Sequence, residues 1–198
     1  MAPEASPRRE KRRQQILDAA RDLFVEKGYV ATTVDDIVTR VEVARGTFYL
    51  YFDDKLDVFS ALVDRFFVRS SGAIHPIDLS EGAPSPREQL RENLRRFVQL
   101  TFADPGMVKI ALSTATGIDT GLDQRLARFY SALRTFMDET LQTGQSIGLV
   151  REGDRQLMAA IALGGLKELL LEVTRELARS EDELVDAILA FLESGLLH

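Results

Sequence analysis

"VARGTFYLYF", residues 43–52, places four aromatic side chains, Phe48, Tyr49, Tyr51 and Phe52, in five positions directly after an arginine, a glycine and a threonine. A buried helix does not carry Arg45 and two phenols so close together, and a solvated one does not expose so much ring. The stretch needs a surface wet enough for Arg45 and Tyr49 yet near enough to order them. On a helix starting at Ala44, Phe48 and Phe52 are four apart and share a face, which can pack on Leu23, Phe24 and Ile37. Arg45 and Tyr49 share a second face, and Thr47 and Tyr51 a third. Those faces carry a guanidinium and hydroxyls, the groups that donate to phosphate oxygens and guanine edges. Gly46 removes a side chain where backbone must approach closely.

The flanking sequence supports this division. "TVDDIVTR" opens with Thr33 and has Asp36 three residues on, a capping-box pattern with early carboxylates at the helix's positive end. Only Val41 to Val43 separate it from the aromatic run, the spacing of a helix-turn-helix whose second helix enters the DNA major groove. The plainer alternative is a small amphipathic helix with an aromatic-rich core and half-exposed tyrosines. Before it, residues 8–27 repeat apolar positions at Ile16, Ala19, Ala20, Leu23 and Phe24, one helical face, with Gly28 as the expected C-cap. After it, Asp53 or Asp54 starts an amphipathic helix through Leu56, Phe59, Leu62, Val63 and Phe66.

Farther on, helix signals recur and strand signals are nearly absent. "SSGAIHPIDLSEGAPSPRE" is the one clear loop, closed by Ser85 as N-cap, Pro86 at the first helical position and Glu88 three residues on. Asp104-Pro105 starts a short helix, and a long helix is expected over about Gly121 to Ser146. Asp154 caps the next helix, and Ser180 with Glu183 caps the last. The expected fold is all-α, with about nine helices.

Composition narrows the function. The chain has 198 residues, no cysteine and two histidines, His75 and His198, far apart in sequence. Thiolate metal sites and cysteine nucleophiles are excluded, and a histidine-rich metal site is not expected. There is no apolar segment behind the N-terminal arginines to suggest a secretory signal. The longest apolar run, Leu157 to Leu166, is far short of the roughly 18 residues a membrane span needs. A cytoplasmic protein without membrane contact is the expectation. The net charge of −6 conceals a split. Residues 1–55 hold 10 Lys/Arg and 10 Asp/Glu, leaving 25 − 10 = 15 and 31 − 10 = 21 for residues 56–198. Within the first part, "RREKRR" (residues 8–13) is a local basic footprint, read either as a flexible arm reaching the DNA backbone or minor groove or as a solubilising tail.

Residues 12–63 resemble the N-terminal domain of the TetR family of transcriptional regulators, through "AARDLFVEKGYVATTV", "DDIV" and above all "RGTFYLYFDDK". The resemblance implies a homodimeric repressor binding a pseudo-palindromic double-stranded DNA operator, with an all-α ligand and dimer domain. It implies residues 1–55 as basic arm and helix-turn-helix domain and 56–198 as effector-binding and dimerisation domain. By position it implies that Thr33 donates to a phosphate, that Thr47, Tyr49 and Tyr51 anchor the recognition helix, and that Lys55 adds a phosphate contact. Arg45 and Gly46 fall where the family approaches base edges. Two positions depart from the pattern: Glu42 stands where glycine is frequent and must bear any positive φ, and Ala44 stands where serine is frequent.

In the remaining two-thirds, "LMAAIALGGLKELLLEV" puts Leu157, Ile161, Gly164 and Leu171 on one side and Leu163, Leu166, Leu170 and Val173 on another. An apolar arc that wide faces its own domain and a second surface. The resemblance makes that surface a second subunit, with Leu163, Leu166 and Leu170 and, on the last helix, Leu184, Ile188 and Phe191 at the dimer interface. The middle segment is rich in phenylalanine. There the resemblance implies a pocket for a small apolar effector, drawn from Phe66, Phe97, Thr101 and Met107 together with Phe129, Leu133 and Phe136; Thr114 is another polar residue in this segment. No cofactor and no metal are expected. An enzyme finds no G-x-S-x-G, phosphate loop or paired-histidine site to support it. A second reading is a TetR-like scaffold with little DNA binding, acting through ligand or protein contacts, and it rests on Glu42 and Ala44.

Overall fold

The structure, a computed structural model, describes residues 7–113, 120–174 and 179–197. Among these the regular structure is nine helices, and the one strand-like pairing is an antiparallel bridge between Val150 and Leu197. The all-α expectation holds. The first three helices, α1 (Pro7–Ala31), α2 (Val34–Val41) and α3 (Arg45–Phe48), precede α4 (Lys55–Gly72). Then follow α5 (Pro86–Ala103), α6 (Pro105–Ser113), α7 (Thr120–Ser146), α8 (Arg155–Thr174) and α9 (Glu181–Gly195).

The helix starts lie where the sequence puts acceptors for orphan backbone N–H groups. Reciprocal capping boxes form at Thr33–Asp36, Ser85–Glu88 and Ser180–Glu183. Asp54 accepts from the Asp57 N–H, and Asp154 from the N–H groups of Gln156 and Leu157. The loop before α5 is tied down by a buried amide: His75 N–H donates to Asn93 Oδ1 at 2.9 Å, and Asn93 Nδ2 returns a bond to the His75 carbonyl at 2.8 Å.

The main apolar core joins the first four helices to α6, α7 and α8, with two smaller clusters around Leu141 and Val150 and around Val98 and Val185. It begins with Ile16, Leu23 and Phe24 of α1, takes in Ile37, Phe48 and Phe52, and continues through Phe59 and Leu62 of α4. From there it reaches Val108 and Ala111 of α6, Leu122 and Phe129 of α7, and Leu170 of α8. α1 also meets α6 through polar groups: the Arg21 guanidinium donates to Asp104, the residue ahead of α6, with Nε at 3.1 Å. Gly106 permits this approach, since a Cβ there would stand 2.8 Å from Val25 Cγ2. α8 packs on α6 and α7, and α9 packs on α5, where Arg87, Arg91 and Arg95 pair with Glu193, Asp186 and Asp182.

Several expectations need correction. The first helical segment of α1 breaks at Gly28 as expected, but the element does not stop there. That residue takes φ 83°, ψ 161°, kinking the element, and a last turn continues to Ala31. The run at residues 8–13 is the first two turns of α1 rather than a flexible arm. Among the expected interface residues, Leu170 and Leu184 are buried within the protomer, so they belong to its own core. Leu163, Leu166 and Ile188 are half-buried, and only Phe191 is exposed. The uncovered apolar side of α8 is instead that of Leu157 and Ile161, with Gly164 and Gly165 also exposed. Periodicity shows two apolar arcs, but α6 and α7 decide which arc the protomer covers. Thr114 and His198 lie outside the described residues, as does the side chain of Val173.

Of the expected pocket residues, Phe66, Met107 and Phe129 are members of the continuous core, with Phe97 and Leu133 packed against it. Thr101 is buried and its hydroxyl donates to the Val98 carbonyl at 2.7 Å. Phe67 meets Phe129 and Phe136 edge-on, with centroids 6.2 and 6.4 Å away. These side chains form a packed interior with aromatic contacts between α4 and α7.

Candidate nucleic-acid interface

α3 is a single turn, and two buried rings hold it. Phe48 and Phe52 are 0% and 2% exposed and lie at a centroid distance of 5.9 Å. After Phe48 the chain tightens, with Tyr51 and Phe52 both donating N–H bonds to the Phe48 carbonyl. This turns Tyr49 and Leu50 outward, 47% and 69% exposed. Ala44, Arg45 and Gly46 are exposed, and Thr47 and Tyr51 half-buried. The separation of core face from wet face read in residues 43–52 is thus present, on a shorter helix than the spacing suggests.

The turn between α2 and α3 depends on Glu42, which adopts φ 56°, ψ 49°. Its N–H donates to the Thr39 carbonyl and that of Val43 to the Val38 carbonyl, the paired bonds of a left-handed helix stop. Glycine reaches this conformation without a Cβ penalty. Glu42→Gly is expected to stabilise the fold by about 0.5–1 kcal/mol, the relieved strain less the greater chain entropy of glycine. The melting temperature of the DNA-free protein checks it, and a lower value contradicts the strain. Ala44 caps α3 without a side-chain hydrogen bond, so the hydroxyl missing from the sequence pattern is not replaced.

Around this turn the charges are paired. Arg45 Nη1 lies 3.0 Å from Asp35 Oδ1 in an exposed pair, and Arg45 Nη2 is 3.5 Å from the Tyr49 hydroxyl. The Tyr49 hydroxyl bond, followed by the Asp35 charge, raises the Arg45 pKa further above its ordinary value, so the guanidinium stays charged. Thr33 Oγ1 is 2.6 Å from Asp36 Oδ2, which also accepts from Lys27 at 2.7 Å. Lys27, followed by the Thr33 hydroxyl and N–H, holds the Asp36 carboxyl well below the usual range. The Thr33 hydroxyl must therefore leave an ionised acceptor before it can donate to a phosphate.

Lys55 departs most from its expected role. Its ammonium donates to the carbonyls of Tyr29 and Thr32, both at 2.7 Å, and lies 4.3 Å from the centre of the Tyr29 ring. It closes the carbonyl-rich end of α1 beyond Gly28, a structural task in place of an outward phosphate contact. Lys55→Ala is expected to cost about 2–4 kcal/mol of stability, from two charge-assisted bonds. Thermal unfolding without DNA measures it; an unchanged midpoint with weakened DNA binding restores the phosphate role.

Sequence reasoning did not single out Leu50, Asp35 or Lys27. The exposed position of Leu50 follows from its place at the tip of the turn after α3. The partners of Asp35 and Lys27 depend on tertiary placement, which spacing alone does not supply.

A short helix standing on buried aromatics, with an arginine, hydroxyls and an exposed turn on its outer side, defines the DNA-binding helix-turn-helix class. Residues 16–62 match the family described as bacterial regulatory proteins, tetR family. The uncharacterized HTH-type transcriptional regulator YdeS of Bacillus subtilis is 31% identical over 151 residues, covering 74% of this chain and 71% of that protein. The fatty acid degradation regulator FadR from Bacillus halodurans superposes with a TM-score of 0.77 at 25% identity, covering 98% of this chain and 99% of that one. The transcriptional regulator FadR from Bacillus subtilis, solved in complex with stearoyl-CoA, gives 0.73 at 25% identity and covers 93% and 99%. The chain belongs to the TetR family: it is a DNA-binding transcriptional regulator rather than an enzyme. No helix among the described residues is long and apolar enough to cross a membrane.

Proposed function

We propose that this regulator is a cytoplasmic repressor that binds a pseudo-palindromic operator as a homodimer and is released by a small apolar effector. Residues 1–55 form the reading head and 56–198 the effector and dimer body. The observation that carries the DNA reading is the outward presentation of Arg45, Gly46 and Tyr49 by a helix whose Phe48 and Phe52 are buried. In this reading Arg45 addresses base edges beside Gly46 and Ala44, where backbone comes close. Thr33, Thr47, Tyr49 and Tyr51 hold the phosphate backbone.

The effector reading rests on the aromatic interior between α4 and α7 and on the fatty-acyl ligand of the Bacillus subtilis FadR structure. An apolar chain entering among Phe66, Phe129 and Phe136 must part the packed helices α4 and α7. That requirement couples the ligand to conformation, because a ligand shifts an equilibrium only by its differential affinity for the two states. α4 begins at the reading head and carries Phe66 and Phe67, and Arg21–Asp104 joins α1 to α6, so both are routes for the coupling.

The test is a mobility shift on duplexes flanking the protein's own coding region, across a salt series, with and without long-chain acyl-CoA. Selective binding to one flanking segment and its loss with acyl-CoA are expected. Equal binding to all segments overturns the operator reading and leaves the scaffold alternative. Operator affinity unchanged by saturating acyl-CoA overturns the release by this ligand.

A further inference from the structure

Burial of a hydroxyl without a hydrogen-bond partner is unfavourable, and folded chains seldom leave one. Among the described residues the buried polar side chains are Thr32, Ser60, Ser70, Asn93 and Thr101. All but Ser70 are satisfied within the protein. Thr32 donates to the Gly28 carbonyl at 2.8 Å, Ser60 to the Leu56 carbonyl at 2.7 Å and Thr101 to the Val98 carbonyl at 2.7 Å. Asn93 is bound to the His75 backbone through both ends of its amide and also accepts from Arg96 at 2.9 Å. Ser70 is 7% exposed, its Oγ has less than 1 Å² of accessible surface, and no partner among the described residues bonds it. A serine inside a helix has the carbonyl one turn back within reach. Ser60 and Ser71 of α4 both use it, donating to Leu56 and Phe67, whereas Ser70 leaves the Phe66 carbonyl unused. By position Ser70 extends the buried stripe Phe59, Leu62, Val63 and Phe66 of α4 by one turn, and it follows Phe67 by three residues. Phe66 belongs to the main core, and Phe67 meets Phe129 and Phe136 of α7. The unpaired hydroxyl thus stands in line with the residues that would surround an apolar effector.

We propose that Ser70 is the polar contact of the effector site, and that the effector carries a neutral hydrogen-bonding oxygen, of hydroxyl, keto or ester type, within its apolar body. The proposal rests on the effector reading above and gives that ligand a chemical class. A hydroxyl both donates and accepts, so it can pair with a carbonyl or with an alcohol. An ionised group at this depth needs a cation beside it. The two arginines nearest Ser70 in sequence do not supply one: Arg65 lies 3.7 Å from Asp18, and Arg69 is exposed. A neutral oxygen fits where an anion does not. A bond to such an oxygen satisfies Ser70, whereas a plain hydrocarbon leaves it unpaired, so the site selects the oxygenated chain.

The experiment titrates the full-length parent, Ser70→Ala and Ser60→Ala, by calorimetry, with octadecanoic acid and with isomers bearing one hydroxyl at successive positions along the chain. The parent and Ser60→Ala should bind at least one isomer about two- to tenfold more tightly than Ser70→Ala does. All three should bind octadecanoic acid alike. Ser60→Ala is the matched control, because Ser60 is equally buried in the same helix and its hydroxyl already has a partner. Without ligand, Ser70→Ala should melt about 2–4 °C above Ser60→Ala, since only the control loses a hydrogen bond. A Ser70→Ala midpoint no higher than that of Ser60→Ala means that the folded chain satisfies the hydroxyl, and overturns the proposal. Equal weakening of every probe by Ser70→Ala, octadecanoic acid included, places the acid head group at Ser70 and overturns the neutral oxygen. Equal affinity of the three proteins for every probe takes Ser70 out of the site and leaves the effector reading standing. If no probe binds the parent, the long-chain effector reading itself falls, a result the other outcomes do not produce.

Discussion

Ile161→Glu combined with Phe191→Glu should convert a dimer into a folded monomer and weaken operator binding by about 10²–10⁴-fold. Ile161 and Phe191 are 65% and 52% exposed in the protomer, so each leaves a large apolar side chain in water unless another surface covers it. Leu157 on α8, 63% exposed, extends the same exposed face. On the proposal that a second copy covers this face, two carboxylates per subunit become buried opposite their equivalents across a two-fold axis. The interface cannot absorb four such charges. Substitutions at positions already exposed in the protomer change its own stability by only about 0.5 kcal/mol, so the monomer should remain folded. Leu166→Glu is a poorer test, since Leu166 packs against the protomer core. The loss of affinity follows from linkage: two half-sites held by one dimer gain an avidity of about 10²–10⁴ that separate monomers lack. Sedimentation of both proteins, with circular dichroism as a fold control, reads the result. A parent that sediments as a monomer at micromolar concentration removes the interface from the proposal.

What the sequence disclosed and what it withheld divide along a physical line. Capping boxes are local, involving groups three residues apart, and Thr33–Asp36, Ser85–Glu88 and Ser180–Glu183 all form where the sequence puts them. Glu42 stands where the family resemblance puts glycine, and it takes the left-handed φ of 56° that this implied. The helical period anticipates the split of Phe48 and Phe52 from Tyr49, although α3 ends at Phe48 and a tight turn completes the separation. Tertiary pairings are different. Lys55 reaches back 23 residues to the Thr32 carbonyl, and Arg21 reaches 83 residues on to Asp104. No spacing rule connects such partners. The same limit misplaced Leu170 and Leu184, because an apolar stripe does not say whether its cover is a neighbouring helix or another subunit. Residues 8–13 were ambiguous for another reason. Their charge is compatible with a solvated arm, and it is the continuation of α1, with Arg13 against Phe52, that orders them.

Arg45→Ala should weaken operator binding by about 5- to 150-fold per half-site and relax preference at one base pair, the range for removing a bidentate bond to a base edge. Two half-sites compound the effect. Arg45 is also paired with Asp35 at 3.0 Å. Removing the guanidinium leaves the Asp35 carboxylate facing the duplex, which should repel every sequence equally. The observed weakening then has two parts, one selective and one not. Asp35→Asn separates them: in that background Arg45→Ala retains only the selective part. By itself Asp35→Asn should strengthen binding to operator and scrambled duplexes alike, since it removes an anion and releases Arg45 from its exposed pair. Tyr49→Phe provides the contrast, since a phosphate-bound hydroxyl contributes without regard to sequence and its removal should weaken both duplexes by the same factor. Binding of the three single variants and the double variant to operator, single-base-changed operators and scrambled DNA, at two salt concentrations, resolves the roles. If Arg45→Ala in the Asp35→Asn background weakens operator and scrambled duplexes equally, Arg45 holds phosphate and the base reading at this helix passes to the backbone around Gly46 and to Leu50.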